Sequence, residues 1–112
     1  MGDLNIVRGT LDLLVLKALA QTAMHGFEIT AWIEQQSGGA LEFDDSAIYH
    51  ALYRLEKRRL IAADWGVTEN NRRARYYGLL EEGRSHLEVE TEKLVRYADT
   101  MVGILTSPGG VV

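Results

Sequence analysis

The sequence predicts a mainly α-helical chain carrying one β-hairpin, and three observations lead there. Apolar residues recur at helical spacing in four separate segments. One stretch, residues 60–80, alternates with a period of two instead. At its centre sit Asn70 and Asn71, which tolerate the left-handed backbone that a hairpin turn often demands. With 112 residues, 46% of them hydrophobic and 25% charged, the chain suits one globular domain, or one domain with a protruding helix.

From Gly9 to Gln21 the apolar positions Leu11, Leu14, Val15, Ala18 and Leu19 describe a first helix, with Thr10 placed to cap its start. The stretch "HGFEITAWIEQQSGG" repeats the pattern through Phe27, Ile29, Trp32 and Ile33. It stops at Gly38 and Gly39, residues that accept the positive φ of a helix C-terminus. His25 is expected to cap or pack at the start of this second helix. After the connector "ALEFDD", Asp44 or Asp45 can accept hydrogen bonds from the free N–H groups of a third helix over 45–58 and complement its dipole. On that helix Ile48, Ala51, Leu52 and Leu55 share one side. Ser46, His50, Tyr53, Arg54 and Lys57 lie opposite, with Tyr49 on the flank.

The segments "LIAADWG" and "RRARYYGLL" flank "VTENN" as the strands and turn of a hairpin with arginines near its tip. From Glu81 to about Leu105 a final helix presents Leu87, Thr91, Leu94, Ala98, Met101 and Leu105. Their 4-3-4-3-4 spacing makes a coiled-coil-like stripe with no partner left in so small a domain. The order helix, helix, helix, hairpin, long helix is that of a winged helix-turn-helix with a C-terminal dimerisation helix. The expected division is a DNA-binding unit over 1–80, a dimerisation helix over 81–106 and a frayed tail over 107–112.

The net charge of −4 argues at first against a nucleic-acid partner, but its distribution reverses that argument. Residues 1–53 carry two basic and seven acidic groups, residues 54–75 seven and three, and residues 76–112 three and six, for balances of −5, +4 and −3. A local basic segment sets the field at a binding surface. A helix-turn-helix lays its second helix in the major groove, so the polar face of the third helix is the expected contact. Ser46, Ala47 and His50 lie nearest its N-terminus and can approach bases. Tyr49 flanks them, and Tyr53, Arg54 and Lys57 suit phosphates. Arg72, Arg73 and Arg75 on the wing suit phosphates or a narrow minor groove. Taken without that architecture, the same residues would read as a solvated helix face and a charged sheet edge.

Other chemistries find little support. The chain has no cysteine, so it offers no disulfide, thiolate metal site or cysteine nucleophile, which suits a cytoplasmic location. The run "LLVLKALA" is too short for a membrane span, and no segment has the order of a signal peptide. No nucleophile–base pair, nucleophile elbow or phosphate-cradling loop is evident, so neither an enzyme nor a cofactor is expected. Glu82, His86 and Glu90 stand at i, i+4 and i+8, a spacing open to a metal but produced as readily by an acid-rich exposed helix.

Four stretches in order carry a resemblance. "RGTLDLLVLKAL", "HGFEI", "AIYHALYRLEKRRLI" and "RRARYYGLLEEG" resemble the first helix, the opening of the second, the recognition helix and the second wing strand of the PadR-like family of bacterial transcriptional regulators. The resemblance implies a homodimer joined through its last helix, and a cytoplasmic repressor of a palindromic DNA operator. It also implies release by a small aromatic or cationic effector, for which Tyr97 and then Trp32 are the candidate contacts. The chain departs from the family pattern at His50, where proline is common, at Arg59, where glycine is frequent, and at Leu80, where threonine is usual. His50 adds a donor that proline lacks, whereas Leu80 removes a side-chain cap. An alternative of another class is a dimeric small-molecule sensor or protein-interaction module that keeps this fold without using it on DNA.

Overall fold

A computed structural model describes residues 2, 4 and 9–108. The elements are α1 (Leu11–Leu19), α2 (Gly26–Gln36), α3 (Asp45–Lys57), β1 (Ile61–Val67), β2 (Arg73–Leu79) and α4 (Glu81–Leu105). This is a winged helix fold with a long C-terminal helix. The part of the predicted tail at 109–112 lies outside the described residues, as does Arg8.

The core is aliphatic and is built mostly from the three short helices. Val15, Leu16 and Leu19 of α1 meet Ile29 and Ile33 of α2 and Ile48, Ala51, Leu52 and Leu55 of α3, and the hairpin closes the cluster with Ile61 and Tyr77. The aliphatic side of α3 is therefore buried as its periodicity predicts, which fixes its polar side outward. On α2, Phe27 departs from the expected pattern: it is 73% exposed, while Gly26 and Thr30 join Ile29 and Ile33 on the buried face.

The helix ends follow the sequence in some places and not in others. His25 forms a reciprocal capping box with Glu28: its Nδ1 accepts from the Glu28 N–H at 3.3 Å, and its own N–H donates to Glu28 Oε1 at 3.1 Å. Gly38 and Gly39 take φ of 63° and 83° after α2, as a helix exit requires. Thr10 and Asp44 occupy the N-cap positions of α1 and α3, yet neither side chain makes a capping hydrogen bond. Thr10 has a helical backbone, so its side chain is not presented as an N-cap usually is. Helix α1 stops at Leu19, short of Gln21, because Ala20 and Gln21 turn back onto the carbonyls of Lys17 and Ala18.

The hairpin is antiparallel, with Ile61 opposite Leu79, Trp65 opposite Arg75 and Val67 opposite Arg73. Its turn closes through Thr68, whose N–H donates to the Arg72 carbonyl at 2.8 Å, and Asn71 takes the left-handed φ of 61°. Met24, just before α2, exchanges two backbone hydrogen bonds with Tyr77, at 3.1 and 2.8 Å, and so ties β2 to the helical body. Helix α4 starts at Glu81 without a side-chain cap on Leu80. Leu87 is buried against the body, whereas every residue from Thr91 to Leu105 is exposed. The helix thus projects from a molecule 64 Å long and 32 by 20 Å across. Among the described residues no helix is long and apolar enough to cross a membrane.

Candidate nucleic-acid interface

The outward side of α3 places Ser46, Tyr49, His50, Tyr53, Arg54 and Lys57 in solvent, with Ala47 half-buried among them. Tyr49 leans back over the start of α2: a Cβ added at Gly26 would come within 2.9 Å of its hydroxyl. Gly26 therefore lets the two helices approach closely at their N-termini. Lys57 lies 5.5 Å from the Tyr53 ring centroid, a cation–π distance that keeps both side chains along the helix surface.

The predicted cations divide into two groups. Arg54 is held by Asp12 of α1, its Nε donating at 3.2 Å and its Nη2 at 2.6 Å to the two carboxylate oxygens. Donating these hydrogen bonds to Asp12 pushes the guanidinium pKa further up, against a smaller opposing effect of desolvation. Arg75 is held by Glu56 of α3 at 2.9 Å and lies over the Tyr77 ring. Burial pushes the Tyr77 hydroxyl above its ordinary value, and Arg75 opposes the shift. Both arginines thus join elements of the body, a role that the sequence-based reading did not give them. Their acidic partners lie 42 and 19 positions away, beyond any local pattern. Lys57, Arg72 and Arg73 form no ion pair with a described residue.

The wing stands beside α3. Its inner row continues the core outward, from Ile61 and Tyr77 to Trp65, Arg75, Val67 and Arg73. The Arg73 guanidinium lies 4.4 Å from the Trp65 ring centroid. Between the wing and the starts of α2 and α3 runs an open cleft of about 620 Å³, lined among others by Phe27, Tyr49, Trp65, Arg72 and Arg73. Phe27 and Trp65 are cleft-lining residues that the sequence did not single out for this face. Their aromaticity is plain in the sequence, but nothing in it says that they face solvent.

A second, apolar groove runs between α1 and α4, with Leu13, Leu14 and Leu41 on one side and Leu87, Leu94, Tyr97, Ala98 and Met101 on the other. Leu105 continues the stripe at 74% exposure. The two candidate effector contacts are not brought together: Tyr97 lines this groove, while half-buried Trp32 packs against the core from α2. Nor do Glu82, His86 and Glu90 converge. Among the described residues, no three histidine or acidic side chains gather closely enough to hold a metal ion.

Residues 15–89 match the family model described as "Transcriptional regulator PadR-like family". The chain belongs to the PadR-like family. An uncharacterised 37.1 kDa protein in a transposon of Streptomyces fradiae is 39% identical over 85 residues, 76% of this chain but 23% of that protein. An uncharacterised protein of Lysinibacillus sphaericus is 26% identical over 83 residues, 74% of this chain and 76% of its own length. Among solved structures, a PadR family transcription regulator from Clostridium difficile is similar at a TM-score of 0.75 and 26% identity, covering 87% of this chain and 99% of that one. The Bacillus subtilis PadR in complex with operator DNA shares the fold at a TM-score of 0.65 and 21% identity, over 73% of this chain and 47% of that one.

Proposed function

We propose that this PadR-like chain is a sequence-specific DNA-binding regulator that acts as a homodimeric repressor in the cytoplasm. The observation that carries the reading is the outward side of α3, whose exposed residues are all polar or aromatic, set beside a wing whose Arg72 and Arg73 form no ion pair among the described residues. Ser46, Ala47 and His50 approach base edges in the major groove, Tyr49, Tyr53 and Lys57 fix the register, and Arg72 and Arg73 hold the flanking backbone. Arg54 and Arg75 contribute through the N–H groups their carboxylate partners leave open. The operator complex of the Bacillus subtilis relative supports the use of this fold on DNA.

Residues 1–80 form the DNA-binding unit, and residues 81–106 the dimerisation helix that buries Leu94, Ala98, Met101 and Leu105 against a second copy; Leu87, expected on the same stripe, is instead already buried in the core of the single chain. Two copies of α3 then enter successive major grooves of a palindromic operator, with half-sites about 10 base pairs apart. A small aromatic or cationic effector that reaches Tyr97 in the α1–α4 groove would act at that seam and release the DNA.

The test is binding of labelled duplex from the chain's own upstream region, against scrambled duplex, at two salt concentrations. Preference for the native duplex is expected. Alanine at Lys57, Arg72 and Arg73 together should flatten the salt dependence by about one logarithmic slope unit per lost phosphate contact. A triple variant that binds as tightly, with the same slope, would place the DNA elsewhere on the molecule.

A further inference from the structure

The cleft between the wing and the starts of α2 and α3 exposes more apolar surface than phosphate contact needs. Phe27 is 73% exposed and Trp65 57% exposed, and both line it. Neither ring serves the core. Phe27 lies off the face of α2 that buries Ile29 and Ile33, and Trp65 stands one inward-facing position beyond the pair formed by Ala63 and buried Tyr77. Large exposed rings gathered in one concave place mark a surface that a partner covers.

The surrounding charges say what kind of partner. Arg72, Arg73 and Arg75 line the cleft, against one carboxylate, Asp45, in the first turn of α3. Arg75 is occupied by Glu56, while Arg73 lies along the Trp65 ring and Arg72 has no ion-pair partner among the described residues. The fitting partner is an anion whose charges are separated by apolar surface. A DNA strand has this composition, because each phosphate is followed by a deoxyribose ring that lacks the 2′-hydroxyl. The cleft also runs directly into the proposed DNA face, since Tyr49 belongs to both.

Resting on the DNA-binding reading above, we propose that Phe27 and Trp65 pack on the deoxyribose face of one strand of duplex DNA as it passes between α3 and the wing. Arg72 and Arg73 hold the phosphates beside it. The two kinds of contact then divide the affinity: the arginines supply the part that falls with salt, and the rings supply a part that does not.

Trp65 can report on itself. In a Trp32→Phe chain it is the sole tryptophan, since the protein has two. The probe is a duplex that the unmodified protein has selected from a random-sequence pool. Saturation with that duplex is expected to change Trp65 emission and to shield it from acrylamide. Phe27→Ala and Trp65→Ala should each weaken binding by about tenfold, as uncovering roughly 60 Å² of ring would, without altering the salt slope. Both side chains lie outside the core, so thermal melting of either variant should match that of the parent. Unchanged Trp65 accessibility together with parental affinity in both variants overturns the inference while the DNA-binding function stands. A parent protein that enriches no sequence from the pool overturns both.

Discussion

Arg59 carries a left-handed φ of 60° where the chain leaves α3 for β1, a conformation that costs a side chain with a Cβ about 1 kcal/mol or more. The resemblance marks this place as one where glycine is frequent, and the geometry supplies the reason. Arg59→Gly should therefore raise stability by about 0.5 to 1 kcal/mol, the relief of strain offset partly by the greater freedom of glycine in the unfolded chain. Urea unfolding would check it, and an equal or lower midpoint would show that the arginine side chain compensates for its backbone. At this scale local capping was legible only in part: Thr10 and Asp44 hold the expected N-cap positions but make no capping hydrogen bond. His25 was legible as a residue that caps or packs at the start of α2, but not its reciprocal pairing with Glu28 three residues on. Arg54 was legible as a cation but not as the partner of Asp12, since 42 residues and a whole helix packing intervene. The pair is half-exposed, so its coupling energy should be about 0.5 to 1 kcal/mol and should shrink in salt, measured by a double-mutant cycle of Asp12→Ala and Arg54→Ala. Additive effects of the two single changes would mean that the ion pair contributes nothing to α1–α3 docking.

At the scale of elements, the position of α4 depends on one close approach. Gly83, in its first turn, is buried, and a Cβ there would overlap the Leu60 carbonyl oxygen and crowd a Leu79 methyl. The Leu80 N–H also donates to Leu60 at 3.0 Å, so the end of the hairpin and the start of α4 are fixed to one residue. Gly83→Ala should cost about 1 to 3 kcal/mol, as overpacking of a well-packed site does, or displace the start of the helix. Thermal melting and helical content would register it, and a variant as stable as the parent would mean that the first turn of α4 is loosely held. All six elements were legible, because periodicity of 3.6 or two survives in each. Phe27 broke the pattern: it has the composition of a core position, but helix packing turns it toward the cleft. The link from Met24 to Tyr77 was likewise hidden, since a single backbone bridge leaves no side-chain signature.

For the whole molecule, charge and apolar surface are laid out in separate places. The basic balance of residues 54–75 sits on α3 and the wing, and the apolar stripe of α4 runs away from the body beside α1. Along α4, Val95, Val102 and Ile104 widen that stripe toward the C-terminus, where they are 51%, 56% and 67% exposed. A single facing helix covers a narrow a/d seam, so this broader surface suits simultaneous contact with α1 and α4 of a second copy. Leu94 and Met101 lie in the middle of the stripe, each 38% exposed and outside the core of the single chain. On the proposed dimer, Leu94→Glu combined with Met101→Glu should therefore leave the winged fold intact while halving the mass in solution, from twice 12.5 kDa to 12.5 kDa. Light scattering after size exclusion reads this directly. The same variant should bind operator DNA about a hundredfold or more weakly, because two half-sites held by one dimer become two independent encounters. Had the parent already run as a monomer, the apolar groove between α1 and α4 would have to be explained by another occupant, and the palindromic operator would lose its structural basis.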